Sequence, residues 1–181
     1  MKSISLSHFL CFFFFITKAQ EPQDTTYYLN NPTISKAAKD FYKNKYKADD
    51  DTRTLSILDS LKTHDNSTRP FYIYLVSTMM KKSDGALSEA LGVASKNFIE
   101  QHPNEALEFL YSSKSMARPE FIDSWAKTLA GEFMIACEGK EIQCIKVSLN
   151  KASLKCKDTN RTHLQDLFKR TGTFVKNLVG N

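Results

Sequence analysis

The chain has 181 residues and a formal net charge of +5, of which Lys2 and Lys18 supply two. That balance is too weak to argue for a nucleic-acid partner. Six glycines and five prolines are few for this length, which argues against an all-β protein built on tight turns.

Residues 1–19 read as a secretory signal peptide. Lys2 gives a positive start, Phe9 to Ile16 is an unbroken apolar run, and Thr17-Lys18-Ala19 places small residues where a signal peptidase reads them. The run is far shorter than the ~20 residues a membrane-spanning helix needs. Cleavage is expected after Ala19, and Gln20 rather than cysteine stands at the first mature position, which excludes lipid anchoring there. The expected product is an exported protein, periplasmic or secreted, of about 160 residues, enough for one domain with its own core.

Residues 20–31 show no period and read as a flexible lead, with a single helical domain over 32–181. Asn31-Pro32 reads as a helix start, followed by an apolar stripe of Ile34, Ala38 and Phe41. Lys36, Lys39, Lys43 and Lys47 are spaced three, four and four apart on the opposite face. Such a face could contact an anionic surface, lipid headgroup or cell-wall polymer, although outward lysines are the ordinary pattern of a packed helix. Asp51 is a candidate N-cap for a helix carrying Leu55, Leu58 and Leu61. The run Asp49-Asp50-Asp51 lacks the alternating acids, glycine and distal glutamate of a calcium loop.

Pro70 opens FYIYLVSTMM, whose aromatic and β-branched residues suit a strand. A strand needs a partner, and no second segment offers one, so a central helix buried on nearly all sides is expected. Further helices are read over Leu87 to Phe98, from His102-Pro103, from Arg118-Pro119, after Gly139, and from about Thr159. The class is all-α, a bundle or irregular stack of about eight helices. Leu58, Leu61, Arg69, Pro70 and Ile73 recur 49 residues later as Leu107, Leu110, Arg118, Pro119 and Ile122. That spacing is similar to paired HEAT-type hairpins, and an irregular bundle is the alternative.

The cysteines raise a geometric question. Cys137, Cys144 and Cys156 follow the signal, in a compartment that permits disulfides. If one helix covers 141–156, Cys144 and Cys156 stand ~18 Å apart at 1.5 Å per residue, beyond the ~7 Å a disulfide spans. Cys137–Cys144 can instead clasp the turn at Gly139, with Cys156 left as a small buried apolar residue. Redox and zinc readings lack their spacing: there is no Cys-x-x-Cys, and no histidine lies nearer than His163.

His102, with Glu100 and Glu105 close in sequence, is the one place where an acid–base cluster can be imagined; a cap or surface role is the plainer account. Arg69, Tyr72, Tyr74, Met79 and Met80 could line a pocket, with helical core the default. Asn66 and Asn160 begin glycosylation sequons, relevant in a eukaryotic host. There is no Gly-rich phosphate loop, Gly-x-Ser-x-Gly or His-Glu-x-x-His. No catalytic residue, metal or cofactor is therefore expected. The expected activity is binding another protein. The alternatives are an envelope immunity-type inhibitor of a toxic enzyme, argued by class-level analogy, and an enzyme on a helical scaffold centred on His102.

Overall fold

A computed structural model of the chain describes residues 24–62, 65–113 and 116–180. The signal-peptide reading and His64 fall outside them. Among the described residues there are nine α-helices and no strand: α1 (Thr25–Asn30), α2 (Lys36–Tyr42), α3 (Thr52–Asp59), α4 (Arg69–Met80), α5 (Gly85–Gln101), α6 (Pro103–Leu110), α7 (Pro119–Ala136), α8 (Glu141–Ser153) and α9 (Arg161–Val179). Short 3₁₀ turns cover Ser60–Lys62 and Asp158–Asn160.

The ambiguous FYIYLV segment is helical, as α4, and central. Phe71, Tyr72, Ile73, Leu75, Val76 and Met79 are all buried, so its sides face protein in almost every direction. Each such side chain contributes about 1.5–3 kcal/mol by leaving water, which outweighs the β preference of its branched and aromatic residues. Ser77 sits in the same core and is fully satisfied. Its hydroxyl donates to the Ile73 carbonyl at 2.7 Å and accepts from Trp125 Nε1 of α7 at 2.7 Å.

Helices α5, α7, α8 and α9 form the C-terminal half. Gly92 faces Glu132 while Phe98 meets Trp125, so α5 and α7 run antiparallel. Helix α8 turns back from the end of α7, and α9 turns back again, so α7 and α9 run parallel with Asp123 bonded to Arg170 at 2.8 Å. Gly92 has no side chain to hold the helices apart: a β-carbon there would lie 3.0 Å from Glu132 Cβ. The turn between α7 and α8 is made by Gly139 at φ +75°, a left-handed conformation that glycine adopts without cost.

Two expectations change at the N-terminal end. The lead over 20–31 is not loose throughout: residues 25–30 form α1, and Tyr28 stacks on Phe71 with ring centroids 5.1 Å apart. Nor does Asn31-Pro32 start α2. Asn31 follows α1 and its Oδ1 accepts the Thr33 N–H at 2.9 Å, while Ser35 caps α2 by accepting from Ala38 N. Asp51 does cap α3, accepting from Thr54 N at 2.8 Å, and this bond draws its carboxyl pKa below the usual range.

The 49-residue echo corresponds to two adjacent helix pairs, α3 with α4 and α6 with α7. Their equivalent residues do not share environments. Arg69 lies inside α4, buried and paired with Glu105, whereas Arg118 precedes α7 and lies exposed over the Tyr74 and Phe121 rings. Helix α4 has 12 residues and α7 has 18.

Candidate functional site

The α5–α6 junction carries the cluster imagined around His102. This one residue ends α5, its N–H bonding to Phe98 O at 2.7 Å, and starts α6, its carbonyl accepting from Ala106 N at 3.2 Å. Its ring stacks on Phe98, and Nδ1 lies 3.3 Å from Glu105 Oε1. The other Glu105 oxygen pairs with Arg69, whose buried guanidinium is eased below its usual pKa by desolvation. Glu100 is not part of the group. It faces α8, accepting from Ser148 Oγ at 2.8 Å with Lys151 Nζ at 3.6 Å. His102, Glu105 and Arg69 thus tie α5, α6 and α4 together. Arg69 lies in the helical core, the default expectation for it, but its pairing with an acid 36 residues away has no signal in the local pattern.

The four lysines do not share a helix face. Helix α2 stops at Tyr42, and Asn44 turns the chain away at φ +55°. Lys36 pairs with Asp40, and Lys39 Nζ donates to the Asn31 carbonyl at 2.8 Å. Lys43 caps the helix, and Lys47 lies beyond it in the loop before α3. Asp40 also receives Lys45, and these lysine hydrogen bonds hold its carboxyl below the usual range.

The loop that displaces Lys47 covers a cavity of about 320 Å³. Met79 and Leu87 are its buried base, Phe41 and Tyr46 its aromatic wall, and Lys47 and Lys82 its exposed rim. Tyr46 is fixed from several sides. Its ring lies 5.8 Å from that of Phe41, its hydroxyl donates to Ala37 O at 3.4 Å, and Arg53 stacks over it at 4.2 Å.

Cys137 and Cys144 are joined, with Cα atoms 6.4 Å apart, at the corner between α7 and α8. Cys156 is free and buried, and burial raises its thiol pKa. It lies past the end of α8 rather than on it, because the helix stops at Ser153. Four exposed apolar residues share this end of the molecule. Ile135 and Ile142 flank the clasp, and Leu178 and Val179 end the parallel helix α9; their exposures are 62, 41, 53 and 62%.

A second polar network, unread in the sequence, joins α6, α7 and α9. Tyr111 stacks on His163 at 4.2 Å and donates to Asp166 at 2.8 Å, and Arg170 links Asp166 to Asp123. Burial, then the Asp166 bond, raise the Tyr111 pKa. Asn160, start of a sequon, is buried and donates to Asn104 and Glu108, so glycosylation there would require opening this contact. Among the described residues no group of three or more His, Cys, Asp and Glu is placed to hold a metal, and no helix is long and apolar enough to cross a membrane. Comparison with protein-family models, curated proteins and solved structures returns no match for the chain.

Proposed function

We propose that this is an exported, non-catalytic helical protein that acts by binding another protein at its clasped end. The observation that carries the reading is the exposure of Ile135, Ile142, Leu178 and Val179, which stand near the end of α7, the start of α8 and the end of α9. Apolar groups gathered on a surface favour association, since a partner removes them from water. The Cys137–Cys144 bond holds that corner in one geometry, which lowers the ordering cost of binding, and its presence fits an oxidising compartment. The His102 group supports a non-catalytic role, because its side chains are engaged with one another between helices.

The test is affinity capture from the exported fraction with the wild-type chain and with Ile135→Asp and Leu178→Asp. A partner held by the wild type and lost from both variants, at unchanged helical circular dichroism, is the expected result. Equal capture by all three would overturn the assignment of this end. If the captured partner is an enzyme whose activity falls on binding, the protein is its inhibitor.

A further inference from the structure

We propose that the cavity under the 43–50 loop binds a small anionic amphiphile: one carboxylate head on a short alkyl or aryl body. The head sits between Lys47 and Lys82, and the body lies on Met79 and Leu87 against Phe41 and Tyr46.

Three features of the site select this class. The first is size and lining. About 320 Å³ is at the small end of the ~300–1,000 Å³ range of ligand pockets. Its base is apolar and its wall aromatic, so it favours a compact apolar body. The second is charge. Lys47 and Lys82 are the charged residues that line it, and among the described residues neither has an ion-pair partner. Of the nearby acids, Asp40 is committed to Lys36 and Lys45 and Asp51 to Arg53 and the α3 cap, while Asp49 and Asp50, exposed in the same loop, are not among the residues that line the cavity. Two ammonium groups act as point charges and offer no planar fork, which suits a single-headed anion. The third is preorganisation. Helix α2 ends early at Tyr42, Asn44 turns the chain, and Tyr46 is held by Phe41, Ala37 and Arg53, so the loop stands over the cavity without filling it. A pocket whose wall is already fixed loses little conformational freedom on binding. The ordinary account, two solvated lysines at a loop edge, explains their exposure. It does not explain why the loop between them spans an apolar hollow.

Decanoate is the probe, titrated below its micelle concentration into the purified, oxidised chain. Binding is followed by the Met79 methyl signal and the backbone amides of 41–48 in NMR spectra. The expected result is saturable one-to-one binding that moves these signals and leaves those of Ile135 and Leu178 in place. Each lysine contributes the equivalent of a surface ion pair, so Lys47→Gln and Lys82→Gln should each weaken binding about three- to fivefold. Decanol, with the same body and no charge, should bind about tenfold more weakly, and inorganic phosphate alone should leave the Met79 signal unmoved. Equal binding of decanol and decanoate would overturn the role of the lysines. A Met79 response to phosphate would overturn the role of the apolar base, and absence of saturation would overturn the site. Both lysines are exposed, so the variants retain the fold, which circular dichroism checks. Loss of partner capture at the clasped end would leave this result unaffected, because the two sites share no residue.

Discussion

Three glycines lie inside long helices, and the structure assigns the same substitution opposite signs among them. Gly92, Gly131 and Gly172 belong to α5, α7 and α9. In a helix interior, Gly→Ala is favourable by about 0.8–1 kcal/mol through lost unfolded-state freedom. At Gly131 and Gly172 an added β-carbon meets nothing within 4 Å, so both variants should gain nearly that whole amount. At Gly92 it would stand 3.0 Å from Glu132 Cβ and 3.5 Å from Glu132 Cα. These atoms belong to the α7 backbone and its first carbon and cannot rotate away, so the helices must separate. Overpacking of this kind costs about 1–3 kcal/mol, which offsets the propensity gain and leaves Gly92→Ala less stable by about 0–2 kcal/mol. The assay is urea unfolding of the oxidised chain, followed by helical circular dichroism. Adding Glu132→Ala should not rescue Gly92→Ala, since alanine keeps the offending β-carbon. If Gly92→Ala stabilises the chain as much as the other two, the close approach of α5 and α7 is wrong.

Burial raises the Glu132 carboxyl pKa above the ordinary 4.5, with Lys96 at 3.8 Å only partly opposing it. The folded state therefore holds this proton more tightly than the unfolded one, and stability falls as pH rises from 4.5 through the raised value. Glu132→Gln should flatten that decline in urea midpoints above pH 4.5; parallel profiles for the two chains would count against it. Cys137→Ser should cost about 2.5 kcal/mol by the chain-entropy relation for a loop of this length. Peptide mapping without reduction should recover 137 linked to 144, and a linkage to 156 would contradict the fold. Cys156 should react with thiol reagents only as the protein unfolds; rapid labelling of the native chain would mean that the end of α8 opens freely. Trp125→Phe removes the donor to Ser77 inside the core, with an expected loss of about 1–2 kcal/mol in thermal or urea unfolding. An unchanged midpoint would show that this bond adds nothing net.

What could be read in the sequence was governed by short-range physics. The burial of α4 followed from its continuous apolar content, and the Cys137–Cys144 pair from the rise of a helix. The Asp51 cap and the start of α6 after His102 are likewise local. The lysine stripe failed because periodicity alone carried it past Tyr42. Asn44, a residue that commonly takes the left-handed turn after a helix, was the available signal for the stop. Helix α1 was missed because six residues have little helical tendency of their own, and its stability comes from Tyr28 packing on Phe71, 43 residues away. The Arg69–Glu105 and Tyr111–Asp166 pairs are long-range in the same sense. The lysine-rimmed cavity exists only because α2, α4 and α5 converge beneath a loop.

The disulfide corner also bears on how Cys137, Cys144 and Cys156 reach one product. Ring-closing probability falls with about the three-halves power of loop length. With spacings of 7, 12 and 19 residues, a disordered chain would form the 137–144 ring roughly twofold more often than 144–156 and fourfold more often than 137–156. Polymer statistics before folding and helix geometry after it therefore select the same pair. Oxidation can precede or follow the formation of α8 with the same favoured bond, and the burial of Cys156 then withdraws the one free thiol among the described residues that could reshuffle it.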